Sequence, residues 1–191
     1  MCDLQPVETD RLLMRQWQQS DLLPFAELNA DPVVMEYFPG TLTANDSDAL
    51  AQKIQTFLVE HGWGLWALEE KRSHRFMGFV GLSIPSVNLP FSPCVEVGWR
   101  LAQDFWGNGY ATEAALASLH KAFEQLQLDE VVSFTSEINQ RSRAVMERID
   151  MIDTQQNFEH PSVAPNNPLR EHVLYKLTRE RWSRRNEAGR V

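Results

Sequence analysis

Residues 94 to 127 read CVEVGWRLAQDFWGNGYATEAALASLHKAFEQLQ, and this stretch decides the fold. Its first part, Cys94 to Leu101, is rich in β-branched and aromatic residues and predicts a central strand. Its last part, Ala111 to Gln127, predicts the strongest helix of the chain, because its apolar residues recur at helical spacing on one face. Those residues are Ala111, Ala115, Leu119, Ala122, Phe123 and Leu126.

A glycine loop, Trp106 to Thr112, joins this strand to this helix. Gly107 and Gly109 permit a turn whose backbone N–H groups converge, and the helix start adds partial positive charge. The loop therefore predicts an anion site suited to a pyrophosphate. Asn-Gly alone would favour a hairpin turn, but the sequence that follows is helical where a hairpin needs a strand. A dinucleotide-binding motif is excluded, because its third glycine would fall on Thr112.

The rest of the chain predicts strands and helices in an order typical of an α+β domain, a sheet with helices on its faces. Period-two patterns predict strands at 12–17, at 131–138 and at 173–177, and an antiparallel hairpin over 63–84. Helical spacing predicts helices at 22–29, 45–61 and 139–150. The polar segment from Arg179 onward is expected to fray.

Composition limits the function classes. The 191 residues, 43% of them hydrophobic, suit one domain. A net charge of -8, from 18 Lys+Arg and 26 Asp+Glu, is opposite to that of a nucleic-acid binder and favours a cationic partner only weakly. No apolar run is long enough for a signal peptide or a membrane span, so a cytoplasmic protein without a membrane partner is expected. Cys2 and Cys94 are expected to be reduced thiols, and no ligand spacing predicts a metal.

The residues from Val95 to Leu101 and from Trp106 to Ala114 resemble the GNAT superfamily of acyl-CoA N-acetyltransferases, with the RimJ/RimL-like ribosomal-protein branch as the nearest pattern. Other landmarks agree in order: Glu8 to Leu12, Asn139 to Ser142, and His172 to Tyr175. The resemblance spans 9–182, which is the expected N-acetyltransferase domain, followed by a polar tail at 183–191. It implies a mixed, largely antiparallel sheet with helices on both faces and a splayed strand pair at the cofactor site.

The resemblance implies acetyl-CoA as co-substrate and assigns residues to bind it. The strand residues that would line the pantetheine arm are Val97, Trp99 and Leu101. Asn139 would contact the pantetheine. The loop residues that would hold the pyrophosphate are Trp106, Gly107, Asn108, Gly109, Tyr110, Ala111 and Thr112.

Three positions depart from the family pattern. Asp104 replaces an Arg or Gln three residues before the first glycine, so the phosphates would depend more on backbone N–H groups. Met146 stands where many members have a Tyr as general acid. Asp150 replaces a glycine in a late turn, and the turn is expected to survive because Asp tolerates a left-handed backbone better than most residues.

Acetyl transfer needs a deprotonated amine, a stabilised oxyanion and a proton or hydrogen bond for the departing thiolate. Glu96, between Val95 and Val97, is the candidate base, because burial would raise its pKa. An equally good interpretation is that Glu96 pairs with an Arg or positions the substrate ammonium. Ser142 is the candidate acid, because RimL-like members place a Ser at this spacing from the Asn; its alternative is an ordinary serine in the first turn of a helix.

The acceptor is expected to be a primary amine, either a small molecule or a protein N-terminus. Trp66, Glu159 and His160 are predicted to contact it. His172 is also expected on the acceptor side, and His160 is a candidate base because imidazole titrates near neutrality. A thiol mechanism at Cys94 is rejected, because no acid or base is adjacent to it in sequence. The rival function is an acyl-CoA-binding sensor without turnover. A monomer or a homodimer is expected.

Overall fold

The computed structural model describes residues 4 to 188. The chain folds as one α+β domain with one open sheet of mostly antiparallel strands, as predicted. Two compact units are distinguished within it. Within the described residues, the first comprises residues 4 to 82 and Gly98–Ala117, and the second comprises Ser83–Val97 and residues 118 to 188.

The first unit contains an antiparallel series of strands and the two early helices. The strands, each paired with the next, are β1 (Val7–Glu8), β2 (Leu12–Arg15), β3 (Leu65–Glu70) and β4 (Phe76–Ser83). The helices are α1 (Leu22–Ala30) and α2 (Ala44–His61). Thr43 caps α2, and Gly62 ends it in a left-handed conformation with φ 74°. No helix within residues 4–188 is long and apolar enough to cross a membrane.

The deciding stretch forms β5 (Glu96–Leu101) and α3 (Tyr110–His120), as predicted. A short 3-10 turn, Gln103–Phe105, connects β5 to the glycine loop. The helix continues past α3 as a π-helical turn, Lys121–Gln125, where the Leu126 N–H donates to the Lys121 carbonyl at 3.0 Å. Most of the predicted apolar face is buried: Ala115, Leu119, Ala122 and Phe123 are at most 1% exposed, while Ala111 and Leu126 are partly exposed.

The second unit is organised around β6 and β9. Its elements are β6 (Glu130–Ser136), α4 (Gln140–Arg148), β7 (Ile152–Asp153), β8 (Phe158–Glu159) and β9 (Glu171–Thr178). The first residue of β5, Glu96, pairs in parallel with Val132 of β6, and β6 pairs antiparallel with β9. β7 and β8 both pair with β9 and are two residues long, too short for a period-two pattern to predict.

The prediction of fraying from Arg179 is wrong over 179–188, which form α5 (Arg179–Ala188). The Trp182 side chain is 3% exposed, stacks on Phe123 with ring centroids 5.6 Å apart, and donates from Nε1 to Glu124 at 2.8 Å. One buried indole therefore anchors a helix whose other residues are mostly polar. Cys2 and the end of the tail, 189–191, lie outside the described residues.

Candidate active site

The glycine loop of the first unit has a backbone that only glycine adopts easily. Gly107 and Gly109 have φ values of 77° and 78°, in the left-handed region. A Cβ at Gly107 would meet nothing within 4 Å, and one at Gly109 would come no closer than 3.6 Å to Arg11. Conformation, and not lack of space, therefore requires glycine at both positions.

The glycine loop leads directly into the N-terminus of α3, which is exposed. Residues 107–109 are exposed, and α3 begins directly after them. The Glu113 N–H donates to the Gly109 carbonyl at 3.0 Å, so the N–H groups before it have no intrahelical acceptor. These groups and the helix dipole form a surface suited to phosphate oxygens.

Glu113, in the first turn of α3, is fixed by residues from the chain start. Its carboxylate accepts from the Thr9 hydroxyl at 2.6 Å, from the Arg11 N–H at 3.0 Å and from Arg11 Nε at 2.6 Å. Burial by itself would raise the pKa of Glu113, but the hydrogen bonds from Thr9 and Arg11 lower it, so the carboxylate stays ionised. These bonds hold the residues around Thr9 and Arg11 against the helix start.

Arg11 also contacts the loop itself. Its Nη1 donates to the Asn108 carbonyl at 2.9 Å, and its guanidinium lies 4.5 Å from the centroid of the Tyr110 ring. The Tyr110 hydroxyl in turn donates to Glu70 at 2.5 Å. The sequence landmark at Glu8 to Leu12 is thereby explained, because Arg11 holds the loop in shape; sequence reasoning noted this landmark without assigning it a role.

Of the strand residues expected at the pantetheine arm, Val97 is fully buried in the second unit. In the first unit, Leu101 is 5% exposed and Trp99 is partly exposed. The Trp106 Nε1 donates to the Leu101 carbonyl at 2.8 Å, so the indole that precedes the first glycine is fixed to the end of β5. Ala111 and Thr112 lie in the first turn of α3 and are partly exposed.

Glu96 is the first residue of β5 and belongs to the second unit. The Ser83 hydroxyl donates to its Oε2 at 3.5 Å. Burial raises the pKa of Glu96 to about 8, against a smaller lowering effect of the Ser83 hydrogen bond. The ionised form of a carboxyl group with such a pKa is a stronger base than an ordinary carboxylate, and its share grows as the pH rises toward 8.

Asn139 and Ser142 form the start of α4. The Asn139 Oδ1 accepts from the Ser142 N–H at 3.1 Å and caps the helix. The Asn139 Nδ2 donates to the Thr135 hydroxyl at 2.9 Å and to the Ser142 Oγ at 3.1 Å. Both Nδ2 hydrogens are therefore used, while one lone pair of Oδ1 is left. The same contacts fit the alternative for Ser142, a serine in the first turn of a helix.

The pattern of the acetyltransferase (GNAT) domain matches residues 11–152. The chain belongs to the GNAT acetyltransferase family. It is 31% identical over 167 residues to the FsC-acetyl coenzyme A-N(2)-transacetylase of Aspergillus fumigatus, which covers 83% of this chain and 69% of the relative. It is 32% identical over 144 residues to the uncharacterized protein YkkB of Bacillus subtilis, which covers 75% and 83%. The chain is thus an N-acetyltransferase, an enzyme of a family that uses acetyl-CoA.

Solved structures agree on the fold. A GNAT-family acetyltransferase from Bacillus anthracis superposes with a TM-score of 0.76 at 22% identity, over 92% of this chain and 99% of that one. At this identity the likeness concerns the fold alone, and it matches the predicted α+β class.

The GNAT positions at which the sequence departs from the family have clear structural consequences. Asp150 has φ 70°, so the left-handed turn is kept without glycine, as expected. Its side chain and carbonyl accept hydrogen bonds from Arg181 of α5. Met146 is 1% exposed and packs in the core. Asp104 is exposed and pairs with Arg75 at 2.9 Å.

The predicted acceptor residues lie in different surroundings within this GNAT domain. Trp66 is 2% exposed in β3 of the first unit. In the second unit, Glu159 is exposed and pairs with Arg170 at 3.0 Å. Their assignment to the acceptor stays a prediction.

His160 and His172 form a ring pair in the second unit, with centroids 4.8 Å apart. Burial lowers the pKa of both imidazoles, and that of His172 to about 4, so both are neutral near pH 7. The role of His160 as an acceptor contact also stays a prediction.

Cys94 has the wrong properties for a nucleophile. Burial and then the charge of Glu96 raise the pKa of its thiol, so the thiolate is scarce near neutrality. This shift supports the rejection of a thiol mechanism. Sequence reasoning could not foresee it, because it depends on the packing around the thiol.

Proposed function

We propose that the chain transfers the acetyl group of acetyl-CoA directly to a primary amine in a ternary complex. The observation that carries the proposal is the exposed glycine loop at the start of α3, held in shape by Arg11 and Glu113. A helix start with free N–H groups and a rigid approach is the arrangement that a pyrophosphate requires.

The binding roles follow the contacts of each residue. The N–H groups of Gly107 to Thr112 bind the pyrophosphate, and Val97, Trp99 and Leu101 line the pantetheine arm. Since the Asn139 Nδ2 hydrogens are both donated within the protein, Asn139 contributes the remaining lone pair of Oδ1 to a pantetheine N–H. The splayed strand pair stays a prediction.

Proton transfer is assigned to Glu96 and Ser142. Glu96 in its ionised form accepts a proton from the attacking amine, directly or through a water, and its raised pKa makes that ionised form a stronger base than an ordinary carboxylate. The Ser142 Oγ accepts from Asn139, and its own hydroxyl hydrogen has no acceptor within residues 4–188. That hydrogen is available to the departing thiolate, which needs only modest help because thiols are good leaving groups.

The acceptor is an amine borne by a small molecule or a protein N-terminus. The name of the Aspergillus relative, an acetyl coenzyme A-N(2)-transacetylase, supports transfer of an acetyl group to nitrogen. Membership of the RimJ/RimL-like branch, a cytoplasmic location and a monomeric or homodimeric state are predictions from the sequence.

The test is CoA thiol release from acetyl-CoA in the presence of a panel of primary amines. The proposal predicts release that depends on the amine and stops when the amine is replaced by its tertiary analogue. A protein that binds acetyl-CoA, as shown by thermal protection, but releases no thiol with any amine would instead be the acyl-CoA sensor.

A further inference from the structure

A cavity of about 660 Å³ lies within the first unit, beside the start of α2. Its wall is largely apolar, with Phe38, Leu42 and Leu50 among the residues that line it. Its charged lining residues are Asp46, Lys53 and Arg100. The volume suits a small organic molecule.

Arg100, from β5, is held in place by neutral groups. Its Nη1 donates to the Asn29 Oδ1 at 2.6 Å, and its guanidinium lies 4.2 Å from the centroid of the Phe38 ring. Asn29 is itself buried and oriented by Ser47, to which its Nδ2 donates at 2.8 Å. The guanidinium is thereby fixed in one orientation.

Arg100 is partly exposed and lacks the anionic partner that a cation in such surroundings normally has. Its Nε is buried without a hydrogen-bond partner, and no carboxylate between residues 4 and 188 lies within 4.0 Å of it. Burial lowers the pKa of Arg100 to about 10, which still leaves the group charged near neutrality. A partly desolvated charge without a counterion is costly, so an anion in the cavity would be favoured.

The other two charged groups of the cavity, Asp46 and Lys53, are opposite in sign, so the charge of Arg100 leaves the lining with a net positive charge. Asp46 accepts from the Thr43 hydroxyl at 2.6 Å and is occupied in the cap of α2. Lys53 contributes a second positive charge to the lining. A guanidinium is also the group best shaped to hold a carboxylate through two parallel hydrogen bonds.

We propose that this cavity binds the carboxylate of the amine acceptor, with Arg100 as its pairing residue. The inference rests on the proposed function and narrows its substrate class to small amines that carry a carboxylate on an apolar body. In the sequence, Arg100 stands four residues after Glu96 on the same strand, β5.

The test compares amines that differ only in carboxylate against carboxamide. The pairs are 6-aminohexanoate with 6-aminohexanamide and L-phenylalanine with L-phenylalaninamide, each corrected for its fraction of free amine. Acetylation is followed at saturating acetyl-CoA. For at least one pair, we expect kcat/KM to be at least about 10-fold higher for the carboxylate, as the loss of one charged hydrogen-bonded pair would produce. In Arg100→Met this ratio should fall toward 1, and in Lys53→Met it should fall partially.

Two controls separate a loss of the carboxylate site from a loss of folding or of charge alone. Thermal protection by CoA shows that Arg100→Met is folded, and Arg100→Lys retains the charge but not the paired geometry, so it should keep an intermediate ratio. Turnover without a carboxylate preference, or a preference that survives in Arg100→Met, would overturn the inference and leave the proposed function intact.

If no amine is acetylated, the proposed function fails, and the carboxylate site in the cavity is tested by ligand binding alone. Calorimetry then compares hexanoate with hexanamide and 3-phenylpropanoate with its amide, using wild type and Arg100→Met. Binding of the acids that requires Arg100 would retain the carboxylate site, and absence of such binding would reject it.

Discussion

The Ser83 hydroxyl donates to the Glu96 carboxylate at 3.5 Å, and this hydrogen bond acts against the burial that raises the Glu96 pKa. The balance between the two effects places the pKa at about 8. Glu96 is thus largely protonated at neutral pH and becomes a base as the pH rises. Both consequences are measurable.

The first prediction is a pH dependence of turnover that belongs to Glu96. At saturating substrates, kcat should rise with pH and level off above about 8, because only the ionised carboxylate accepts the amine proton. Glu96→Gln should lower kcat by about 100-fold at pH 8 and should not show the rise that ends near pH 8. At still higher pH, where free amine is abundant, the variant should recover part of its deficit. Ser83→Ala, which removes the opposing hydrogen bond, should move the rise to higher pH. A deficit in Glu96→Gln that does not change with pH would assign Glu96 to positioning.

The raised pKa of Glu96, on which the first prediction rests, has a second readout in the free energy of unfolding. The folded pKa of about 8 lies above the unfolded value of 4.5, so between these pH values folding takes up a proton. The stabilisation linked to the protonated carboxyl is complete below pH 4.5 and is lost as the pH rises through about 8. The free energy of unfolding of wild type should therefore fall over this range relative to Glu96→Gln. Urea denaturation of both proteins at several pH values measures the difference, and parallel curves would contradict the raised pKa.

The second prediction concerns the glycine loop. Gly109→Val should abolish the thermal protection that CoA gives, because a β-branched residue does not adopt φ 78° and the N–H groups would turn away. The matched control is Gly40→Ala, at an exposed glycine where a Cβ meets nothing within 4 Å. CoA titrations by calorimetry decide between them. Equal CoA affinity in wild type and Gly109→Val would remove the loop from the binding site.

The third prediction concerns the clamp formed by Arg11 and Glu113. Arg11→Met and Glu113→Gln should each weaken CoA binding, since both loosen the start of α3. The double variant should lose less CoA-binding free energy than the two single variants lose together. The pair is partly exposed, so we expect a coupling of about 0.5 to 1 kcal/mol in the free energy of unfolding. Additive effects on both CoA affinity and stability would show that the two residues act separately.

The fourth prediction separates a chemical from a structural role of Ser142. Ser142→Ala should lower kcat by about 10- to 100-fold with little change in acetyl-CoA affinity, because a hydroxyl bonds most strongly once the thiolate charge develops. Thr135→Val removes the other hydrogen-bond partner of the Asn139 Nδ2 and serves as the control. If the two variants lose the same amount of kcat, Ser142 acts only by orienting Asn139.

The fifth prediction concerns α5. Trp182→Ala should destabilise the domain by about 3 to 5 kcal/mol, as for other buried tryptophans, because it leaves a cavity against Phe123 and removes the bond to Glu124. The control is Arg184→Ala, at an exposed position of the same helix. A loss below 1 kcal/mol in Trp182→Ala would mean that α5 is not anchored by its indole.

Local patterns were sufficient to predict the elements that build the loop. The helical period from Ala111 and the two glycines depend on neighbouring residues, and both predictions were confirmed by α3 and by the positive φ values of Gly107 and Gly109. The left-handed turn at Asp150 was predicted for the same reason, a preference of the residue itself.

Long-range contacts could not be predicted in this way. Arg11 binds Glu113 across 102 positions of sequence, and Trp182 binds Glu124 across 58, so neither contact leaves a periodic signal. The tail was expected to fray because its composition is polar, while a single buried tryptophan decides its structure. The surroundings of Arg100 are also set by a long-range contact, because its guanidinium donates to Asn29 across 71 positions of sequence.

The most direct test of the central claim is a single-turnover reaction with acetyl-CoA labelled with ¹³C in the acetyl group and an active amine from the panel. Mass spectrometry then follows the label on the protein and on the amine at successive times. Direct transfer predicts acetylated amine in equal amount to released CoA, with no labelled protein at any time and no product from Gly109→Val. Labelled protein that forms before the acetylated amine and decays as it appears would contradict direct attack in a ternary complex.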